Sequence, residues 1–160
     1  MNKFKIILFF IIVTAGYGQT NNEKLTMIDF SPKTKAYNIY YPKKYSVNES
    51  DDNIVTLTNT ETGLNLTISN CTVPNKLKEE NLIELLGGFV TDIKKTDWKS
   101  YKSKFDNLIE GRIENDNENW IWWGISSNKN VVIISANKDN PISDEETKLM
   151  RFMINKLEIH

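Results

Sequence analysis

Two kinds of apolar spacing alternate along the chain from residue 37 onward. Tyr37-Asn38-Ile39-Tyr40-Tyr41 repeats with a period of two and stops at Pro42, because a proline has no N–H to give to a ladder. Ile54–Thr58 and Leu64–Ser69 are β-rich runs on either side of Glu61-Thr62-Gly63, a hairpin signal. In the second run Leu64, Leu66 and Ile68 share one face while Asn65, Thr67 and Ser69 share the other, so one side of the hairpin is buried. The polar, acidic stretch from Val47 to Asn53 reads as a loop.

The period then changes. Leu82, Leu85, Leu86, Phe89, Val90 and Ile93 recur at spacings of three and four and predict a helix, opening at or just after Asn75. Gly87-Gly88 inside it costs about 1 kcal/mol per glycine relative to alanine; tolerance within a well-packed helix is the favoured reading over a kink. Trp98–Phe105 sets lysines and serines between aromatics, which suits an edge strand. Leu108–Asn115 alternates, with Ile109, Gly111 and Ile113 on one side and Glu110, Arg112 and Glu114 on the other. After a turn at Asp116–Asn119 come Trp120–Ile125 and Val131–Ala136, joined by Asn128-Lys129-Asn130. Both runs are apolar at nearly every position, so both their faces must be covered.

Ser143 with Glu146 three residues on is a capping box, and the acidic first turn favours a helix start. Leu149, Phe152, Met153 and Leu157 supply that helix's apolar face. The expected architecture is α+β: a single antiparallel sheet of six or seven strands with a helix on each face. It forms one domain over 36–160. Residues 19–35 are an irregular lead-in, with a short ordered piece at Leu25–Phe30.

Residues 1–18 carry the three parts of a secretory signal peptide. Lys3 and Lys5 precede the unbroken apolar run Ile6–Val13, and Gly16-Tyr17-Gly18 leads to a cut between Gly18 and Gln19. The run is well short of the roughly 20 apolar residues that span a bilayer, so the mature chain carries no membrane span and is expected in the periplasm or secreted. Loss of Lys3 and Lys5 moves the formal charge from −1 to −3. Cys71 is the lone cysteine, expected as a small buried hydrophobe in the strand it ends.

Composition removes several chemistries. The single histidine is His160, at a terminus expected to fray, so Ser-His-Asp and Cys-His sites are not credible. With 20 Lys+Arg against 21 Asp+Glu there is no basic field for nucleic acid. Gly87-Gly88 has no following Lys-Ser/Thr to cradle a phosphate. Glu49, Asp51 and Asp52, and likewise Asp116 and Glu118, cluster without EF-hand spacing and read as solvated turns. No cofactor, no metal and no enzyme activity are expected.

The tryptophans remain. Trp120 and Trp122 point one way along their strand, and Ile121, Trp123 and Ile125 the other. Burial in the core is the commoner fate for all three. Should one face be imperfectly covered, Trp120 and Trp122 would floor a groove with Tyr101 alongside, in the manner of aromatic binding anchors.

The order of elements resembles the Mog1/PsbP-like family of small α/β/α sandwiches, which includes exported bacterial proteins. The matching pieces are Tyr37–Pro42, Gly63–Ser69, the helix from Leu82, the Trp120–Ile125/Val131–Ser135 hairpin and the helix from Ser143, covering roughly residues 36–159. The resemblance implies a binding or accessory scaffold with no shared catalytic residue, so no functional position carries over. The expected function is an exported module that engages a protein partner, immunity- or chaperone-like in one version. A small-molecule or lipid carrier, its ligand held between sheet and helix, is the alternative.

Overall fold

A computed structural model of the chain describes residues 26–160 except 51, 92, 95–96 and 115–118. The strands are β1 (Met27–Phe30), β2 (Tyr37–Pro42), β3 (Tyr45–Glu49), β4 (Val55–Asn59), β5 (Asn65–Thr72), β6 (Lys99–Ser100), β7 (Asn107–Glu114), β8 (Asn119–Ser127), β9 (Asn130–Asn137) and β10 (Glu158–Ile159). The helices are α1 (Glu79–Gly87) and α2 (Asp144–Lys156). The class is α+β, built on an antiparallel seven-stranded sheet ordered β3-β4-β5-β9-β8-β7-β6.

The near-continuous apolar runs occupy the middle of that sheet. β9 is buried at every position from Val131 to Ala136, flanked by β5 and β8. A tight turn at Asn128-Lys129 connects β8 to β9; Asn128 takes φ +55°, and its N–H donates to Asp106 Oδ2 at 2.6 Å. The β4–β5 hairpin turns through Gly63 at φ +72°, a conformation that favours glycine. At the sheet's far edge β6 is two residues long and exposed, as expected of the lysine-studded segment.

Side chains sort into two clusters. Leu82 and Leu86 of α1 pack with Val90, Ile93, Trp98, Ile109, Val131 and Ile133. Met150, Met153 and Ile154 of α2 join Ile121, Trp123 and Ile125 of β8 and Leu57, Leu66 and Ile68 of the first hairpin. Gly124 lies where α1 crosses β8, since a Cβ there would run into Leu86 Cδ1. Closure of α1 onto the sheet needs that missing side chain.

Several expectations are corrected. Tyr37–Pro42 does not enter the main sheet; with β1 and β10 it forms a separate three-stranded sheet ordered β1-β2-β10. Met27, Ile28 and Phe30 of β1 pack against the larger cluster, so the folded unit begins before residue 36. The stretch from Val47 to Asn53 expected as a loop begins with the last three residues of β3, whose Ser46, Val47 and Asn48 are exposed; an edge strand needs no apolar alternation. The first helix ends at Gly87 rather than running to Ile93. Phe89 beyond it is 65% exposed, while Val90 and Ile93 reach the core from irregular backbone. The Gly87-Gly88 pair therefore stands at the end of the helix instead of being tolerated within it.

The capping box forms as its sequence requires, Ser143 Oγ accepting the Glu146 N–H and Glu146 Oε2 the Ser143 N–H. The buried stripe of α2 is Thr147, Met150, Met153 and Ile154, with Phe152 turned outward at 48% exposure. His160 is tied down rather than frayed: its N–H donates to the Ala36 carbonyl, and the His160 carbonyl accepts from Asn130 Nδ2 at 2.6 Å. Cys71 is exposed, because β5 runs on past its buried residues. The proposed signal peptide at 1–18 and the acidic pair Asp116 and Glu118 lie outside the described residues.

Candidate functional site

Glu110 stands on β7 between Ile109 and Gly111, on the strand face shared with Leu108 and Arg112. Its strand partner is Trp123, and its side chain is 2% exposed. A carboxylate so buried must be paired, and four donors converge on it. Arg151 Nε and Trp123 Nε1 donate to Oε2, each at 2.9 Å. Arg151 Nη2 at 2.8 Å and Arg112 Nε at 3.0 Å donate to Oε1. The Arg151 Nη2 also donates to Tyr101 Oη at 2.9 Å, and its guanidinium lies 5.0 Å from the Tyr101 ring centre.

Burial alone would raise the Glu110 pKa, but the hydrogen bonds from Arg151, Arg112 and Trp123 outweigh it and hold the carboxyl below its ordinary value. The hydrogen bond to Glu110 raises the Arg151 pKa in turn. A general base needs a free lone pair and a pKa near the working pH; Glu110 offers neither. It ties α2 to β7 as an ionised clamp. Beside it Tyr101, Leu108, Trp123, Arg151 and Ile154 enclose a cavity of about 90 Å³, well below the roughly 300 Å³ at which ligand pockets begin.

Trp120 and Trp122 emerge on the opposite side of β8 from Trp123. Both are half-buried, and their rings stack at 5.7 Å between centroids and 19° between planes. Trp122 packs against the α1 cluster, yet its Nε1 is buried without a hydrogen-bond partner. Trp123, by contrast, is core at 1% exposure. Tyr101, expected alongside the tryptophan pair, packs instead against the α2 cluster and Arg151. The structure brings Trp120 and Trp122 together and leaves Tyr101 apart from them.

Glu110, Arg112 and Arg151 were not among the expected site residues. One signal was present: Arg112 and Arg151 are the arginines of a chain otherwise lysine-rich, and a planar fork is what bidentate carboxylate pairing requires. A wider groove of about 430 Å³ lies between α2 and the small sheet, lined by Met27, Tyr40, Lys104, Phe152, Lys156 and Glu158.

The chain aligns with solved structures over most of its length. A crystal structure from Bacteroides thetaiotaomicron matches with a TM-score of 0.63 at 13% identity over 82% of this chain; the chain spans about half of that protein, 48%. The solution structure of cyanobacterial PsbP (CyanoP) from Synechocystis sp. PCC 6803 matches with a TM-score of 0.59 at 9% identity, covering 85% of this chain and 94% of that one. The fold is PsbP-like. At these identities the likeness concerns the fold alone, and function has to be argued from the site. No protein-family model matches the sequence, nor does any curated protein. Within this PsbP-like fold, no helix among the described residues is long and apolar enough to cross a membrane.

Proposed function

We propose that the protein is an exported, non-enzymatic binding or accessory module that engages a protein partner, with Trp120 and Trp122 at the centre of the contact. The observation that supports this is their half-open stack, in a structure that buries Trp123 completely and locks Glu110 away from proton transfer. Large, stiff aromatic rings give contact area at small entropic cost and are enriched among binding hot spots. An immunity- or chaperone-like role is one version of this reading.

Alternate residues of β8 enter different clusters, Trp122 with α1 and Trp123 with α2. We read this as one helix on each face of the sheet, with the Trp120–Trp122 pair only half covered on the α1 side. Residues 1–18 are read as the signal that takes the chain to the periplasm or beyond, removed before Gln19.

The test is affinity capture from envelope extracts with the wild-type chain and with the double variant Trp120→Ala, Trp122→Ala. A stoichiometric partner retained by the first and lost by the second supports the reading. Equal retention by both would sink the assignment of the tryptophans, and recovery of the bare chain alone would sink the partner. Sequencing the N-terminus of the exported protein checks the cut. The groove beside Phe152 favours a second reading, a carrier of a small amphiphile; native mass spectrometry would then show a bound adduct.

A further inference from the structure

The two edges of the main sheet are built differently. β6 ends it with two residues beside Lys102 and Lys104, a short edge guarded by lysines. β3 ends it with five residues, Tyr45-Ser46-Val47-Asn48-Glu49, that include no lysine and no proline. The Ser50 N–H donates to the Ile54 carbonyl and the Thr60 N–H to the Lys44 carbonyl. With the β3–β4 register, these bonds place the even-numbered residues of β3 on its inward ladder. The N–H and C=O groups of Tyr45, Val47 and Glu49 therefore point outward, and they bond to no other described residue.

The same strand is self-complementary. Val47 shares its side of the sheet with Tyr45 but is 40% exposed, an apolar side chain at the open rim of the core. Lys43 and Lys44 precede the strand, Glu49 ends it and Asp52 follows; within one copy Glu49 Oε1 accepts the Lys33 N–H at 2.7 Å and Lys44 Nζ meets Glu61 at 3.1 Å. Two copies run antiparallel about Val47 would set the lysines of each beside the carboxylates of the other. Tyr45 of one copy would then pair with Glu49 of the second, and Val47 with Val47. All of these are hydrogen-bonded pairs, so every outward donor meets a carbonyl. The contact is isologous and closes on itself.

We propose that β3 is a homodimer interface, joining two copies of the chain edge to edge into one continuous sheet. The contact lies apart from the tryptophan pair and does not depend on the partner proposed for it.

Sedimentation equilibrium of the purified protein across the micromolar range tests this. The expected result is a monomer–dimer equilibrium. Val47→Lys, which sets like charges against each other at the twofold, should raise the dissociation constant about tenfold or more. Lys43→Glu alone should weaken the dimer, and Lys43→Glu with Glu49→Lys should restore it. Ser100→Pro on the opposite edge should leave the equilibrium unchanged. A wild-type monomer throughout overturns the proposal, whatever else binds that edge. So do a dimer indifferent to Val47→Lys, open-ended aggregates in place of a dimer, and a failure of the charge exchange to restore association. The charge pair keeps the test decisive should Val47→Lys fail to fold, which circular dichroism would reveal.

Discussion

Arg151 meets Glu110 through two parallel hydrogen bonds, Nε to Oε2 at 2.9 Å and Nη2 to Oε1 at 2.8 Å, across the gap between α2 and β7. Arg112 reaches the same carboxylate at 3.0 Å. Removing the carboxylate takes the Glu110 counter-ion from Arg151 and one charged acceptor from Arg112, so Glu110→Gln should destabilise the fold by about 3 kcal/mol, at the lower end for a broken buried pair because both arginines are partly solvated. Arg151→Met should cost more than Arg112→Met, since it takes from the buried carboxylate two hydrogen bonds against one; Arg112 also reaches Thr147 Oγ1 at 3.5 Å. Urea titrations of the three variants give the ranking; an inverted order of the arginines would refute the fork as the main tie.

The clamp and the helix cap share a pH signature. Burial pushes Glu110 and Glu146 upward, but hydrogen bonds, first from Arg151 and from Lys138 respectively, bring both below the ordinary value of 4.5. Asp106 is held down by Lys76 and the Asn128 N–H. Groups depressed in the folded state contribute stability above their unfolded pKa and lose it as pH falls through the folded one, because the unfolded chain takes up protons first. The urea midpoint should therefore stay nearly level from neutrality to about pH 5 and then fall. Glu110→Gln should show a shallower acid limb from its lower starting point. An equal acid slope in both proteins would remove Glu110 from this account.

The elements legible in the sequence were those set by neighbours along the chain. Trp120–Ile125 and Val131–Ala136 announced a covered hairpin because nearly every side chain in them is apolar, and Ser143 with Glu146 announced a helix start because the cap is complete within four residues. What escaped was set at long range. Glu110 looks like a solvent-facing residue on an alternating strand until Arg151, 41 positions later, folds over it. β3 escaped because an edge strand's polar side chains resemble a loop's. Tyr37–Pro42 was recognisable as a strand, but its partners β1 and β10 lie at the two ends of the folded chain. The helical spacing past Gly87 came from residues that reach the core without helical backbone.

At the start of α2 one carboxylate serves two roles. Glu146 accepts the Ser143 N–H at 2.8 Å and the Lys138 ammonium at 2.6 and 2.9 Å. Ser143→Ala removes the acceptor for the Glu146 N–H and should cost about 1 kcal/mol. Glu146→Gln keeps an acceptor for the Ser143 N–H but discharges the Lys138 partner, so its cost should shrink when salt is added. Thermal melts at low and high ionic strength separate the two effects, and a salt-independent loss in Glu146→Gln would argue against the ion pair.

Two glycines near α1 should respond in opposite ways to the same substitution. At Gly124 a Cβ would run into Leu86 Cδ1 and stand 3.1 Å from Ile109 Cγ1 and 3.3 Å from Leu82 Cγ. These are buried side chains that hold α1 on β8, so Gly124→Ala should destabilise by about 1–3 kcal/mol as the helix is pushed off the strand. At Gly87 a Cβ meets nothing within 4 Å, and the residue closes the last turn of α1 without a positive φ. Gly87→Ala should therefore stabilise by about 0.5–1 kcal/mol, chiefly by restricting the unfolded chain. Paired denaturation curves decide it. A gain at both positions would mean that α1 does not need its close approach to β8, and a loss at both would mean that the backbone at Gly87 needs glycine for a reason other than space.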